Sequence, residues 1–373
     1  MSGNCVIIDF VRTPLCAMGK ELSTRTVDQL ESVCMEALLQ RTGMDARDLE
    51  HTICGHAHMD TDPYNLSRTA WLLARLDENV PGYTVHAGEA SGLMALLKAY
   101  YLFKTGNDLT AFVGGAESYS RAPFILREAR YGVDLDRFPV VDSIPEGERW
   151  TQPVPMDPKE LARTLAEEKG YSKDVLERVR VKESERADLC MWDGRIVPVK
   201  WLDRKNKEVC VTEDALPESE DGFAQYVDGA VCMLTAEEDR AKALGLKPIG
   251  QILGFSWAAC SPENRWESVV RAVDKLLSRH VEADPSRIRD VEILADSAAT
   301  TLAISEGLVR LGIQPSAINP NGSSLVWGVN EGGDGVLAAG RALLHLQKTG
   351  GYAVVAASVG GGESIAMLIK ALI

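Results

Sequence analysis

Apolar and polar positions follow two rhythms along this chain. Cys5 to Phe10 is a nearly unbroken apolar run around Val6-Ile7-Ile8, the pattern of a strand covered on both faces. Thr26 is a good N-cap, and Val27, Leu30, Cys34, Ala37 and Leu38 follow it at helical spacing until Gly43 stops the helix. A short apolar segment, His51 to Gly55, precedes a second helix through Leu66, Ala70, Leu73 and Leu76. Strands and helices therefore alternate, which predicts a layered α/β fold with parallel pairing.

The pattern then repeats itself. One copy runs from a helix (Leu93 to Phe103) through Lys104-Thr105-Gly106 into the strand Leu109 to Val113 and ends in GGAES at Gly114 to Ser118. The other runs from a helix (Val336 to Leu346) through Lys348-Thr349-Gly350 into Tyr352 to Val359 and ends in GGGES at Gly360 to Ser364. A weaker echo pairs Val6 to Phe10 with Ile249 to Phe255, so the chain reads as two related α/β halves packed together.

Between the halves, from about Arg121 to Ser219, the composition turns to proline and charge, with a helical stretch from Pro158 to Asp188. The expected organisation is a first half over 1–120, an inserted loop domain over 121–219, the last strand and helix of the first half over 220–248, and a second half over 249–373. Arg178, Arg180, Lys182, Arg186, Lys200, Arg204, Lys205 and Lys207 form a cationic island in the insert. Each reads singly as a solvated position with ordinary ion pairs; together they offer charge and guanidinium hydrogen bonds to a phosphorylated cofactor.

Composition narrows the function. The 373 residues carry 54 acidic against 40 basic side chains, a net charge of −14, which removes the broad positive footprint of a nucleic-acid binder. The eight cysteines (Cys5, Cys16, Cys34, Cys54, Cys190, Cys210, Cys232, Cys260) lie in apolar runs without C-x-x-C spacing and read as reduced thiols. No apolar run approaches the ~20 residues of a membrane span, and no basic-then-apolar segment opens the chain. The expectation is a soluble cytoplasmic protein with neither a membrane nor a nucleic-acid partner.

Short segments in order along nearly the whole chain carry a family resemblance: VRTPL at Val11 to Leu15, NLSRTA at Asn65 to Ala70, SGL at Ser91 to Leu93, GGAESYSRAP at Gly114 to Pro123, DGR at Asp193 to Arg195, INPNG at Ile318 to Gly322 and SVGGG at Ser358 to Gly362. In these the chain resembles the thiolases, the degradative acetyl-CoA acyltransferase branch in particular. The resemblance implies duplicated βαβαβαββ halves in a five-layer α/β/α/β/α sandwich with an inserted loop domain. It also implies CoA or acyl-CoA as ligand without a covalently bound cofactor. Thiolases dimerise through strands near the segment that here is Gly106 to Gly115, so an oligomer is expected.

Thiolases use an acyl-accepting Cys in N-x-x-C-x-S-G, a His in G-H-P, an Asn in N-E-A-F and a second Cys in C-x-G. Here HAGEASGL places Glu89 at the first Cys and His86 at the preceding Asn. WGVNEGG places Gly328-Val329-Asn330 over G-H-P, VEILADSA places Leu294 to Ser297 over N-E-A-F, and Ser358 stands at the second Cys. Acyl transfer through cysteine is therefore not expected.

Glu89 either caps the helix from Ser91 at the old nucleophile position or acts as a general base. His86 either orients it or packs. Asn330, Glu331 and Asp334 are surface loop or, with Glu89, an acid–base set, and Tyr226 is a candidate phenolic acid for an aldol-type cleavage. Cys54, His56 and His58 form C-x-H-x-H, and strand alternation would place all three on one face. No fourth ligand is visible and the matching thiolase segment binds no metal, so no metal is expected. Arg178, Arg180 and Lys182, with Gly361 and Gly362 where backbone can approach closely, are the candidate CoA contacts.

Three functions follow, in order of preference. The first is a thiolase-like subunit without acyl-cysteine chemistry, paired with a Cys-bearing thiolase subunit or a small acyl-CoA-binding accessory protein. The second is a carbon–carbon lyase of aldolase type on a CoA thioester with Glu89 as base, and the third is ordinary 3-ketoacyl-CoA thiolase activity.

Overall fold

The computed structural model describes residues 3–59, 63–127, 129–132, 140–151 and 157–372. Nine strands form the spine of one continuous sheet: β1 (Cys5–Arg12), β2 (His51–Gly55), β3 (Gly82–Val85), β4 (Thr110–Glu117), β5 (Val227–Glu237), β6 (Gly250–Ala259), β7 (Ile288–Leu294), β8 (Tyr352–Val359) and β9 (Glu363–Ala371). Their spatial order is β7-β8-β9-β6-β1-β5-β4-β2-β3. The halves meet where β1 and β6 pair antiparallel, Cys5 opposite Ile252 and Ile7 opposite Gly250.

Each half has the same design. In the first, β2 runs parallel to β3 and β4, while β5 is antiparallel to β4 and β1. In the second, β7 is parallel to β8, and β9 is antiparallel to β8 and β6; the place of β3 is taken by a single parallel bridge from Val291 to Ile318. The duplication read from the sequence is thus a duplication of topology.

Helices separate the layers. Between the two half-sheets lie α3 (Ser91–Thr105) and α8 (Asp334–Thr349), the helices of the KTG repeat, whose Leu93, Leu96, Phe103, Val336, Leu343 and Leu346 share one core with Ile7, Val113, Val355 and Met367. Outside the first half, α1 (Val27–Thr42) and α2 (Leu66–Leu73) bury Leu30, Cys34, Leu38 and Trp71 against Val6, Cys54 and Phe112. Outside the second, α6 (Arg265–Arg279) and α7 (Ala298–Arg310) bury Val269, Val273, Ile304 and Leu308 against Val291, Val354 and Leu368. The result is the five-layer α/β/α/β/α sandwich. Both faces of β1 are covered, which is why it reads as a continuous apolar run; a register shift between Ile7 and Asp9 then turns Phe10 to the central core and Val11 to the outer one.

The repeat breaks at its end. Gly114 to Glu117 lie inside β4, whereas Gly360 to Gly362 form the turn between β8 and β9, so GGAES and GGGES are not equivalent places. Gly115 is needed for close approach, because a Cβ there would run into the Gly332 carbonyl; Gly361 and Gly362 are needed for their left-handed φ of 81° and 82°. β4 is buried along its length between β2 and β5, and the free edge at that end of the sheet is β3.

The helical stretch expected from Pro158 to Asp188 consists of two helices, α4 (Pro158–Lys169) and α5 (Lys173–Arg186). Gly170, at φ 67°, ends the first and the Ser172 side chain caps the second. Both lie against α7. The hairpin of Val199–Leu202 and Glu208–Val211 instead joins the outer core of the first half through Val199 and Val211. The cationic island is therefore divided between two faces. Among the described residues, no helix is long and apolar enough to cross a membrane.

Candidate functional site

A cleft opens where the two halves meet the insert. Its lining includes Glu89, Lys159, Phe223, Tyr226, Asp296 and Glu331. Glu89 sits in the single turn Gly88–Ala90 that enters α3, with the helix dipole behind it. Ser358 is at the end of β8, and its hydroxyl donates to Glu89 Oε2 at 2.5 Å. The two positions that the resemblance sets at the thiolase cysteines are thus brought into direct contact by the packing of the turn Gly88–Ala90 against β8.

Glu89 is also held from the second half. Arg265, at the start of α6, places a guanidinium nitrogen 3.7 Å from Glu89 Oε1 and donates to Asp296 at 2.9 Å. Water still reaches about a quarter of the Glu89 side chain. Burial pushes its carboxyl up to about 7; Arg265 opposes this, Asp296 and Glu331 add to it as like charges, and the Ser358 hydrogen bond opposes it. Near neutrality Glu89 therefore exists in both protonation states, the condition for a group that both takes and returns a proton.

A second acidic group faces the same cleft. Glu331 Oε2 lies 3.1 Å from His58 Nε2, and the Glu331 backbone N–H donates to the Tyr119 hydroxyl at 3.4 Å. Tyr119 stacks on Tyr226 with ring centroids 4.3 Å apart. Asp334, one turn on, has its carboxyl pushed up to about 7 by burial and accepts from the Asn330 backbone N–H at 3.0 Å.

The other sequence candidates take different places. His86 is exposed, and the Glu89 hydrogen bond goes to Ser358 instead. Asn330 is buried and braces the backbone: its amide donates to the carbonyls of Val227 and Gly229 at 3.2 and 3.1 Å and accepts from Gly333 N–H at 3.0 Å. Cys54, His56 and His58 do not converge. Cys54 turns to the outer core beside Glu31, His56 faces the buried Glu117 at 3.1 Å, and His58 faces Glu331; His56 and His58 lie beyond the strand end, where strict alternation no longer holds.

Arg178 and Lys182 are exposed on α5 and Arg180 pairs with Glu177, none of them at the Glu89 cleft. Gly362 packs on Cys260 and Pro262, accepting from Cys260 N–H at 2.9 Å.

Sequence reasoning missed Arg265, Asp296, Tyr119 and the pairing of His58 with Glu331. It also missed Lys159 of the cleft lining and Arg163 one turn on in α4, whose cationic ends lie 5.7 Å from the centre of the Phe223 ring. Their four-residue spacing, on one face of a helix, was the available signal.

The fold and site can be set beside known proteins. The family model described as "Thiolase, N-terminal domain" matches residues 5–227. A probable acetyl-CoA acyltransferase of Staphylococcus aureus is 25% identical over 384 residues, covering 96% of this chain and 97% of its own. A beta-ketoadipyl-CoA thiolase of Pseudomonas aeruginosa is 29% identical over 406 residues, covering 99% and 100%. The crystal structure of the Bacillus anthracis acetyl-CoA acetyltransferase has a TM-score of 0.92 at 25% identity, covering 100% of this chain and 99% of its own. Human mitochondrial 3-ketoacyl-CoA thiolase shares the fold, with a TM-score of 0.88 at 22% identity and 99% of each chain covered. With the duplicated five-layer architecture and the matched first half, the chain belongs to the thiolase superfamily.

Proposed function

We propose that the protein makes or breaks a carbon–carbon bond next to a CoA thioester, with Glu89 moving the proton at the α-carbon in place of acyl transfer through cysteine. The Glu89–Ser358 pair carries this reading. A carboxyl pushed up to about 7 faces the cleft at the helix start where, by the resemblance, the family holds its acyl-accepting thiol. The thioester carbonyl accepts the electrons left at the α-carbon as an enolate, so the protein must supply a positioned base and a shielded site. Ser358 fixes the orientation of the carboxylate, and Lys159 and Arg163, both beside Phe223 of the cleft lining, suit the phosphates of CoA.

A second reading rests on Val329, an apolar side chain where the family has its activating imidazole. On that reading the chain is the supporting subunit of a heteromer whose partner is a Cys-bearing thiolase chain or a small acyl-CoA-binding protein.

The test is α-proton exchange. Acetyl-CoA incubated in D2O with the full-length protein purified from its own cells gains deuterium at its methyl group, and Glu89→Gln lowers the rate by about 10²-fold or more. Native mass spectrometry checks that the assembly is unchanged. Exchange that is equal in wild type and Glu89→Gln refutes the base reading, and a co-purifying Cys-bearing chain then supports the subunit reading.

A further inference from the structure

The segment leaving β2 is fixed more firmly than a surface loop requires. His56 is fully buried with its Nδ1 3.1 Å from both the Ala116 carbonyl and Glu117 Oε2, and the Ala57 N–H donates to Glu117 Oε1 at 2.6 Å. Burial by itself raises Glu117, but His56, with the charge of His58 and the hydrogen bond from the Ala57 N–H, outweighs it and holds the carboxylate below its usual range. This anchor sets the position of His58 two residues on. The His58 imidazole then meets Glu331 through Nε2 at 3.1 Å and rests edge-on against Tyr119, ring centroids 4.9 Å apart.

Glu331 is consequently held on two sides, its carboxylate by His58 and its backbone N–H by the Tyr119 hydroxyl. It shares the cleft lining with Glu89 and Tyr226. The two carboxylates act on each other through charge, yet each has its own partner, Ser358 for Glu89 and His58 for Glu331. Proton removal at one carbon needs one such group. Two independently supported groups around one cleft suit a substrate that exchanges protons at two atoms, and the second proton-bearing atom within reach of a thioester α-carbon is a β-oxygen.

We propose that Glu331, positioned by His58, is the second proton-transfer group of this cleft and that the substrate is a 3-hydroxyacyl-CoA. This rests on the Glu89 reading above. In the cleavage direction Glu331 takes the β-hydroxyl proton, the bond between the α- and β-carbons breaks, and its electron pair enters the thioester as an enolate. The β-carbon leaves as an aldehyde or ketone. Protonated Glu89 gives its proton to the α-carbon, forming the shortened acyl-CoA, and the proton on Glu331 returns to Glu89 through solvent. Atoms and electrons balance without an oxidant or reductant.

Two assays on the full-length protein separate this inference from the reading beneath it. One is the acetyl-CoA exchange described above. The other is release of acetaldehyde or benzaldehyde, with acetyl-CoA, from 3-hydroxybutanoyl-CoA or 3-hydroxy-3-phenylpropanoyl-CoA. Glu89→Gln is expected to lower both rates. Glu331→Gln is expected to lower the ratio of cleavage to exchange by about 10²-fold, and to move the exchange profile to lower pH because a like charge beside Glu89 is gone.

His58→Gln is expected to lower kcat for cleavage with KM little changed, and to shift the pH profile of kcat, which a packing role would not do. Exchange by the wild type without cleavage of either 3-hydroxyacyl-CoA overturns the inference and leaves the Glu89 reading standing. So does an unchanged ratio in Glu331→Gln, or formation of an enoyl-CoA in place of the aldehyde. Absence of both activities in the wild type refutes the Glu89 reading and this inference with it.

Discussion

Replacing Arg265 with methionine tests the electrostatics of Glu89 directly. The guanidinium lies 3.7 Å from Glu89 and 2.9 Å from Asp296, and it opposes a rise caused first by burial and then by the charges of Asp296 and Glu331. At an effective dielectric of about 20, a unit charge pair at that distance is worth roughly 4 kcal/mol as an upper bound. Partial access of water reduces this to roughly 1–3 kcal/mol, or about one to two units of pKa at about 1.36 kcal/mol each.

Exchange requires the carboxylate. With Glu89 at about 7, the wild-type rate should rise about tenfold between pH 6 and 8, with its midpoint at about 7. In Arg265→Met the midpoint should move up by about one to two units, so that the rate falls roughly tenfold at neutrality and recovers at alkaline pH. Deuterium incorporation into acetyl-CoA, measured by mass spectrometry across the range with thermal melts as a control for folding, reads this out. A midpoint that stays put or falls, or a loss of rate that is equal at every pH, refutes the assignment of Glu89 as the titrating base.

Two stability predictions concern the scaffold. Glu31 is fully buried, burial pushes it from 4.5 up to about 8, and it touches the Cys54 thiol at 3.5 Å. Its folded value lies above its unfolded one, so it costs nothing below the unfolded value and destabilises progressively as pH rises toward the folded one. Urea unfolding at pH 6 and 8 should therefore show Glu31→Gln losing about 2 kcal/mol less than wild type over that interval, and equal losses would contradict this. In Gly115→Ala the added methyl would meet the Gly332 carbonyl, which is backbone and has no side-chain freedom to yield. A cost of about 1–3 kcal/mol and a lower Tm are expected, with reduced exchange because Glu331 precedes Gly332; an unchanged Tm would count against the packing.

Much of the scaffold was legible in local pattern. The unbroken apolar run of β1, the helical spacing after Thr26 and the paired KTG turns each reflect rules that act over a few residues, and the strands, helices and duplicated layers followed from them. Where the pattern misled, local chemistry was ambiguous. A pair of glycines serves a strand crossed by another backbone at Gly115 and a left-handed turn at Gly361, and the letters are the same in both.

The residues at 89, 329 and 358 are likewise written in the sequence and fix what cannot happen there: with no thiol at 89 or 358 and no imidazole at 329, these positions cannot perform acyl-cysteine chemistry. What Glu89 can do instead was decided by folding. Its partner Ser358 is 269 residues away and the His58 partner of Glu331 is 273 away, separations over which no spacing rule constrains a contact. The value of the Glu89 carboxyl depends first on burial and then on charges brought in from α6, the segment after β7 and the segment before α8. Those distances and that exclusion of water come into being only when the two half-sheets close on their shared helices.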